Sequence, residues 1–142
     1  RRVCIEKVET KHDVRNFIRV GESHHLFLTA SSKVLLSSYD DEKIKRLAKE
    51  QNIDVDIQKV LEDVAKVRKN GYFVSEGERV MGGMSISAPI FNYMGKIAAS
   101  ISLVGPAFRV GKRKKEFIQL VKKAAMNISY KMGYKEAERD ER

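Results

Sequence analysis

Two stretches near the amino terminus alternate apolar and polar residues, which is the pattern of half-buried β-strands. The first stretch covers 3–9 and the second covers 14–20. The same alternation extends briefly over 24–28, after Gly21. We therefore predict two strands and a short extension before residue 30, with Cys4 as a core residue of the first strand.

The apolar spacing changes to three and four residues after Thr29 and predicts three helices. The first covers 30–37 with Thr29 as its N-cap, and the second follows Ser38, which we expect to cap it. Three acidic residues close behind Ser38 suit the first turn of that helix, where the helix dipole favours negative charge. The third helix runs from Val55 to Gly71, a residue type that commonly ends helices in the left-handed conformation.

The segment from Val80 to Phe108 carries a single charged residue, Lys96, but its pattern is not that of a membrane span. Glycine, proline and asparagine divide it into pieces of strand length. We predict three strands in and before this segment: 72–79, 83–91 and 96–105. The NYMG sequence forms the hairpin turn between the last two, and their near-continuous apolarity predicts central strands that are covered on both faces.

A closing helix from about Lys114 to Gly133 has its apolar residues along one stripe. The members of this stripe are Phe117, Leu120, Val121, Ala124, Ala125, Ile128 and Met132. The polar residues 134–142 are expected to fray as a tail. The order of elements predicts an α/β class fold, with one mostly antiparallel sheet and helices packed on it, and 142 residues suffice for one such domain.

The net charge of +9 is concentrated in the second half of the chain. Residues 72–142 hold 13 Lys and Arg against 7 Asp and Glu, whereas residues 1–71 hold 15 against 12. The stretch 109–123 alone holds seven basic residues and one acid, Glu116. Such a patch suits contacts with phosphate groups. The alternative is the solvated face of a helix, since no aromatic or glycine-rich segment accompanies the patch.

The residues do not form an arrangement typical of an enzyme or a metal centre. The three histidines and the single cysteine lack the spacing of metal ligands. Ser85 stands in no Gly-x-Ser-x-Gly elbow, and the glycine pair before Met84 lacks the Lys-Ser/Thr of a phosphate-binding loop. We predict a cytoplasmic globular domain that is not an enzyme, needs no cofactor or metal, and does not cross a membrane.

Small polar residues are the remaining candidates for a binding site. The helix predicted at residue 30 begins with Thr-Ala-Ser-Ser, and free backbone N–H groups at such a start suit an anion. Ser85 and Ser87 are two residues apart in a predicted strand, as are Ser100 and Ser102, so each pair projects to one face. A buried hydroxyl needs a partner, and the alternatives are a backbone group, a water or a ligand.

The order of these pieces resembles the effector-binding domain of the IclR family of bacterial and archaeal transcriptional regulators. The resemblance is carried by EKVETKHDVRNFIRVGE (6–22), LFLTASSKVLLSS (26–38) and, above all, GYFVSEGERVMGGMSISAPIFNYMGKIAASISLVGPAFRV (71–110). The last piece contains Gly-Tyr, an acidic stretch, a small-residue strand with Ala-Pro-hydrophobic-Phe, and a strand that ends in Gly-Pro. Together with the closing helix, the match covers Val3 to Gly133.

This resemblance implies a GAF-like ligand-sensing domain over 1–133 that binds a small-molecule effector, a small organic acid, between its sheet and helices. In the family, the effector changes how a homodimer or homotetramer presents its N-terminal winged helix-turn-helix domains to DNA. We expect those domains, and the first helix and strand of the effector-binding domain, to be missing from this chain, so DNA would be contacted only through the missing part. The alternative is a stand-alone GAF-type sensor or interaction module without a DNA role.

Carried over by motif, the effector-binding residues are Ala30, Ser31, Ser75, Ser85 and Ser102. The family often has Asp where Ser75 stands and Cys where Ser85 stands. Its helix-start motif, Ala/Gly-x-Gly-Lys, has lost its glycine here, and the preceding Pro-Leu-His is replaced by His-Leu-Phe. The resemblance therefore implies a pocket but does not identify the effector.

Overall fold

A computed structural model of the chain describes residues 1–15 and 18–137. The elements, in chain order, are β1 (Arg2–Val3), β2 (Ser23–His24), α1 (Ala30–Leu36), α2 (Asp41–Glu50), α3 (Ile57–Asn70), β3 (Phe73–Glu76), β4 (Gly83–Phe91), β5 (Ile97–Pro106), α4 (Ala107–Val110) and α5 (Lys114–Lys131). A 3-10 turn, Gly111–Arg113, joins α4 to α5. The predicted α/β class, with antiparallel strands and helices packed on them, is confirmed.

The described strands form two antiparallel sheets rather than the single sheet that the sequence predicted. Strands β3, β4 and β5 pair in that order, and β1 pairs only with β2. The predicted hairpin between β4 and β5 is present, because Asn92 Oδ1 accepts the backbone N–H groups of Met94 and Lys96. Gly95 has a φ of 71° in this turn, which a glycine adopts without the steric cost of a Cβ.

The central strand β4 is covered on both faces, as predicted, but β5 is not. On one face of β4, alternate apolar side chains pack against α5 in the main hydrophobic cluster. On the other face lies α1, whose Ala30 and Val34 pack with Phe73 and Val67. β5 forms an edge of the three-stranded sheet and is half-buried over most of its length, with Ala98 and Ser102 exposed. Apolarity alone therefore does not distinguish an edge strand from a central one.

The helix ends lie close to their predicted positions, but the capping chemistry needs two corrections. Thr29 stands at the N-cap position of α1 without a capping hydrogen bond from its side chain, and Gly71 ends α3 in the left-handed conformation with a φ of 74°. The cap of α2 is Asp40 rather than Ser38, since Asp40 Oδ1 accepts the N–H of Lys43 at 2.8 Å. The Ser38 hydroxyl instead donates to the carbonyl of Leu35 at the end of α1.

The predicted amino-terminal strands are largely wrong. Of the first predicted strand, 3–9, only Val3 lies in a described β-strand, as the second residue of β1, and Cys4 is half-buried rather than part of the core. In the second predicted strand, residues 14–15 and 18–20 are not β-structure, and 16–17 lie outside the described residues. The apolar residues of this region are mostly exposed, so the alternation has no helix or sheet to face within the described chain.

The closing helix α5 matches its prediction in extent, but its buried stripe is rotated. The buried residues are Ile118, Val121, Ala125 and Ser129, while Leu120 and Met132 are exposed. Ser129 ties the helix to the sheet, because its hydroxyl accepts the N–H of Phe91 and donates to the carbonyl of Ala125. The expected fraying does not begin at Tyr134, whose ring stacks on Phe91 with centroids 5.0 Å apart. Residues 138–142 lie outside the described part.

Candidate functional site

Three of the five predicted site residues share one face of the three-stranded sheet. Ser75 on β3 is the direct partner of Ser85 on β4. Ser102 on β5 is the direct partner of Ser87, which lies two residues after Ser85 on β4. Direct partners in antiparallel strands project to the same side, so these hydroxyls lie on the face that carries α1. Ser75 is buried, Ser85 is half-buried and Ser102 is exposed. The Ser102 hydroxyl already makes one hydrogen bond, since it lies 2.6 Å from Ser87 Oγ.

The other two predicted residues lie in the first turn of α1. Ala30 is fully buried in the small cluster with Phe73, whereas the Ser31 hydroxyl lies 3.0 Å from Thr29 Oγ1. Thr29 has a φ of +82°, which is a rare and costly conformation for a β-branched residue, by roughly 1–3 kcal/mol. Its backbone N–H donates to the carboxylate of Glu78 at 3.1 Å. A side chain from the β3–β4 loop therefore supports the strained start of this helix.

Lys33 is a charged residue of this site that the sequence analysis missed. It lies on the buried side of α1 between Ala30 and Val34, and its side chain is only 4% exposed. Its ammonium is 3.4 Å from Glu78 Oε1, 4.0 Å from Asp63 Oδ2 and 5.9 Å from the centroid of the Phe73 ring. A lysine three residues after a buried alanine in an amphipathic helix was the signal that could have revealed it.

Asp63 on α3 is the buried counter-charge of this group. Its side chain is 2% exposed and is shared by three lysines, since Lys59 and Lys66 lie 3.1 and 3.4 Å from Oδ1. The hydrogen bond to Asp63 is the main cause of a pKa of Lys59 above its usual value. A buried carboxylate is tolerated only when it is paired in this way.

A cavity of about 430 Å³ adjoins this buried charge cluster at the outer edge of β3. The lining residues that bear on the site are Asp63, Phe73, Ser75 and Glu78, with Lys59 and Lys66 at the same opening. Of the five predicted site residues, only Ser75 lines this cavity. Ser75 therefore adjoins the charge cluster at this cavity. The other four predicted residues lie away from the cavity: Ala30 and Ser31 in α1, and Ser85 and Ser102 on the sheet face that carries α1.

The loop between β3 and β4, residues 77–82, connects the charge cluster to the amino-terminal arm. Glu78 contacts α1, and the next residue, Arg79, donates to Glu22 Oε1 at 2.9 Å just before β2. Glu22 is held also by the N–H of Arg19 and by His24 Nε2, at 3.0 and 2.6 Å. Chiefly the Arg19 hydrogen bond, then the His24 hydrogen bond, lower the pKa of the Glu22 carboxyl.

The histidines do not assemble a metal centre in the described part of the chain, where no group of three suitable side chains is found. His24 contacts Glu22, as stated above, and His25 Nδ1 is buried without a hydrogen-bond partner. The basic stretch 109–123 forms a mostly solvated surface at the start of α5. Three of its members are engaged within the described chain: Arg109 donates to the carbonyl of Val14, Arg113 pairs with Glu116, and Lys122 lies over the Tyr72 ring.

Solved structures with the same architecture belong to transcriptional regulators. An IclR-family protein from Rhodococcus sp. superimposes with a TM-score of 0.81 at 28% identity, over 92% of this chain and 52% of that one. The C-terminal domain of the Escherichia coli transcriptional regulator KdgR gives a TM-score of 0.71 at 28% identity, over 81% and 75%. Both likenesses extend over most of the present chain.

The family model "Bacterial transcriptional regulator IclR C-terminal" matches residues 1–130, and the chain belongs to this family. Among curated relatives, the HTH-type transcriptional regulator KipR of Bacillus subtilis is 31% identical over 93% of this chain and 56% of its own length. KdgR of E. coli is 29% identical over 93% and 53%. The chain therefore spans about half the length of the relatives that it matches.

These relatives confirm two predictions and leave others untested. The resemblance to IclR regulators is confirmed, and so is the prediction that the chain is not an enzyme, because the relatives are transcriptional regulators. The five effector-binding residues remain a prediction. Within the described part of the chain, no helix combines the length and the apolar character needed to cross a bilayer.

Proposed function

We propose that this chain is the effector-binding domain of a DNA-binding transcriptional regulator, and that its effector is a small organic acid. The observation that supports an acidic effector is the buried ammonium of Lys33, which lies beside the serine-bearing face of the sheet. A positive charge in a poorly solvated site attracts a carboxylate far more strongly than one in water does. Ser75, Ser85 and Ser102 supply hydroxyl groups that donate to or accept from the remaining polar atoms of such a ligand.

The proposed regulator acts on DNA through a part that this chain does not contain. The relatives are named HTH-type regulators and are about twice as long as the matched region. Effector binding to the present domain then modulates operator binding by a homodimer or homotetramer in the cytoplasm. Phosphate contacts from the basic stretch 109–123 alone give only weak, salt-sensitive DNA binding without sequence preference. Nanomolar, sequence-selective binding by the 142-residue chain at physiological salt would contradict this division of roles.

A thermal-shift screen of small organic acids tests the effector class. A ligand that binds only the folded state raises the melting temperature, and the shift grows with the logarithm of the ratio of free ligand concentration to Kd. Carboxylates are expected to stabilise the domain, whereas their amides, which match them in shape but lack the charge, are expected to have little effect. Equal stabilisation by acids and amides would show that the site does not select a negatively charged ligand.

The substitution Ser31→Asp tests where the acid binds. It places a second carboxylate at the start of α1, where it repels an anionic effector, so affinity for an acid found in the screen should fall about tenfold or more, or roughly 1.4 kcal/mol. Ser31→Asn is the matched control, because it has nearly the same shape without the charge. Titration calorimetry measures both. Unchanged affinity in a folded Ser31→Asp protein would place the effector elsewhere.

A further inference from the structure

Glu78 and Arg79 are adjacent residues of opposite charge that fasten the β3–β4 loop at two places. Glu78 reaches α1, where it contacts the Lys33 ammonium and the Thr29 N–H. Arg79 reaches the arm before β2, where it pairs with Glu22. The loop is bounded by Gly77 and Gly82, both at positive φ and both with open space around them. Backbone hydrogen bonds from the Gly77 N–H to the Gly83 carbonyl and from the Ala107 N–H to the Gly82 carbonyl hold these two ends, so the movement that matters is that of residues 78–81 and of the Glu78 side chain.

The two carboxylates that face Lys33 are not equivalent. Asp63 projects from the middle of α3, is almost completely buried and is shared with Lys59 and Lys66. Glu78 stands on a loop, and its side chain is 29% exposed. Because Asp63 cannot leave without repacking α3, Glu78 is the acidic group that can leave Lys33 while the core stays intact.

When the Glu78 carboxylate moves away from Lys33, another negatively charged group is needed beside the buried ammonium. With Glu78 in place, the cluster contains three lysines and two carboxylates. Without it, the buried Lys33 ammonium keeps only one carboxylate, at 4.0 Å and already bonded to two other lysines. A poorly compensated charge in a buried position is costly. The position that Glu78 vacates is therefore suited to an anion of similar size, a carboxylate.

We infer that Glu78 is a built-in competitor for the effector, a carboxylate of the chain itself that holds Lys33 until the acid takes its place. The inference rests on the proposed function, since it names the group that the effector must displace and the loop that its binding sets free. The exchange replaces one carboxylate–ammonium contact with another. We call the contact of Glu78 with Lys33 the latch. The apparent Kd of the effector is its intrinsic Kd divided by the fraction of molecules in which the latch is open, so the latch weakens the apparent affinity. Glu78 thereby sets the effector concentration at which the site fills.

The test compares Glu78→Gln with Glu76→Gln, using acetate as the probe and acetamide as its uncharged counterpart. Glu76 lies two residues away at the same cavity, so the control removes the same charge without touching Lys33. Amide signals in NMR spectra at constant ionic strength report both loop opening and binding, and the Thr29 amide reports the contact with Glu78 directly. In Glu78→Gln, the Thr29 amide should exchange with solvent faster than in the wild type, and acetate should bind about threefold to tenfold more tightly. Glu76→Gln should leave both quantities near the wild-type values.

Each result separates the latch from the effector class. Tighter acetate binding in Glu78→Gln alone supports the competitor role. Faster Thr29 exchange with unchanged acetate affinity, or equal gains in both variants, overturns that role but leaves the proposed function standing. If acetate perturbs neither Thr29 nor Ser75 in any of the three proteins, or acetamide binds equally well, then the site does not select a carboxylate, and the latch falls together with the effector class proposed above.

Discussion

The two faces of β4 carry different kinds of side chain, although they alternate along one nine-residue strand. The face toward α5 is apolar and closed: Met84, Ile86, Ala88 and Ile90 pack against buried residues of the closing helix. The face toward α1 carries Ser85 and Ser87 and adjoins a buried lysine and aspartate. The first arrangement is what stability alone requires. The second accepts the desolvation of charged groups, a cost that is usual at binding sites.

This contrast also explains why the two helices hold the sheet differently. α5 is long and uses apolar contacts together with the hydrogen bonds of Ser129. α1 has seven residues, begins at a strained Thr29 and is attached to the β3–β4 loop by Glu78. Regions that change on ligand binding are drawn from the less stable parts of a protein. We therefore expect the α1 side to be the less stable of the two faces and the α5 side to be the more stable one.

The largest expected effect comes from the closed face. Ile86→Ala should lower the free energy of unfolding by about 4 kcal/mol, because it removes buried methyl and methylene groups and leaves a cavity against α5. The neighbouring substitution on the other face, Ser87→Ala, breaks one hydroxyl contact with Ser102 and should cost only about 1 kcal/mol. Urea denaturation measures both. Equal losses would mean that the two faces do not differ in the way described.

A smaller loss is expected from the buried charge. Asp63→Asn keeps the shape of the side chain but leaves Lys33 with Glu78 as its only remaining acidic contact, and should cost about 3 kcal/mol. The control is Glu62→Gln, an exposed acid beside it on α3, which should change stability by less than about 0.5 kcal/mol. Denaturation at neutral pH distinguishes the two. A cost for Asp63→Asn no greater than that of the control would show that the charge cluster is not a structural unit.

The smallest effect concerns the pH dependence of stability and involves Glu22, which pairs with Arg79 of the β3–β4 loop. Hydrogen bonds from Arg19 and His24, with Arg79 nearby, lower the pKa of Glu22 below its usual value of 4.5. A carboxyl whose pKa is depressed on folding stabilises the protein above its unfolded-state pKa, and this contribution is lost as the pH falls through the lower, folded-state value. Glu22→Gln should therefore flatten the decline of stability below pH 4.5 while leaving the α5 side unaffected.

Thermal melts of wild type and Glu22→Gln between pH 3 and pH 7 provide the measurement. The matched control is Glu50→Gln at the end of α2, where the acid has only an exposed contact with Arg46. An identical acid limb in the wild type and in Glu22→Gln would show that Glu22 is not held more firmly in the folded state.

Local patterns in the sequence determined most of the secondary structure from α1 onward. Gly71 ends α3, Asn92 and Gly95 form the hairpin turn, and the apolar periodicity gave helices and strands close to their observed bounds. These features depend on neighbours within a few residues, which the sequence displays directly. The motif order was likewise enough for the family, since the match over residues 1–130 agrees with it.

Only the tertiary structure decided what faces what. Alternation over 3–9 predicted a strand, but a strand needs a pairing partner, and within the described chain Val3 is the only one of these residues in a paired strand. Lys33 appeared in the sequence only as part of the helix-start motif. Its burial and its charge partners became evident from α3 and the β3–β4 loop, which place Asp63 and Glu78, 30 and 45 residues further along the sequence, beside it. Charge pairing depends on segments that are distant in the chain, so a local pattern can indicate that a lysine lies on a buried helix face but cannot identify its partners.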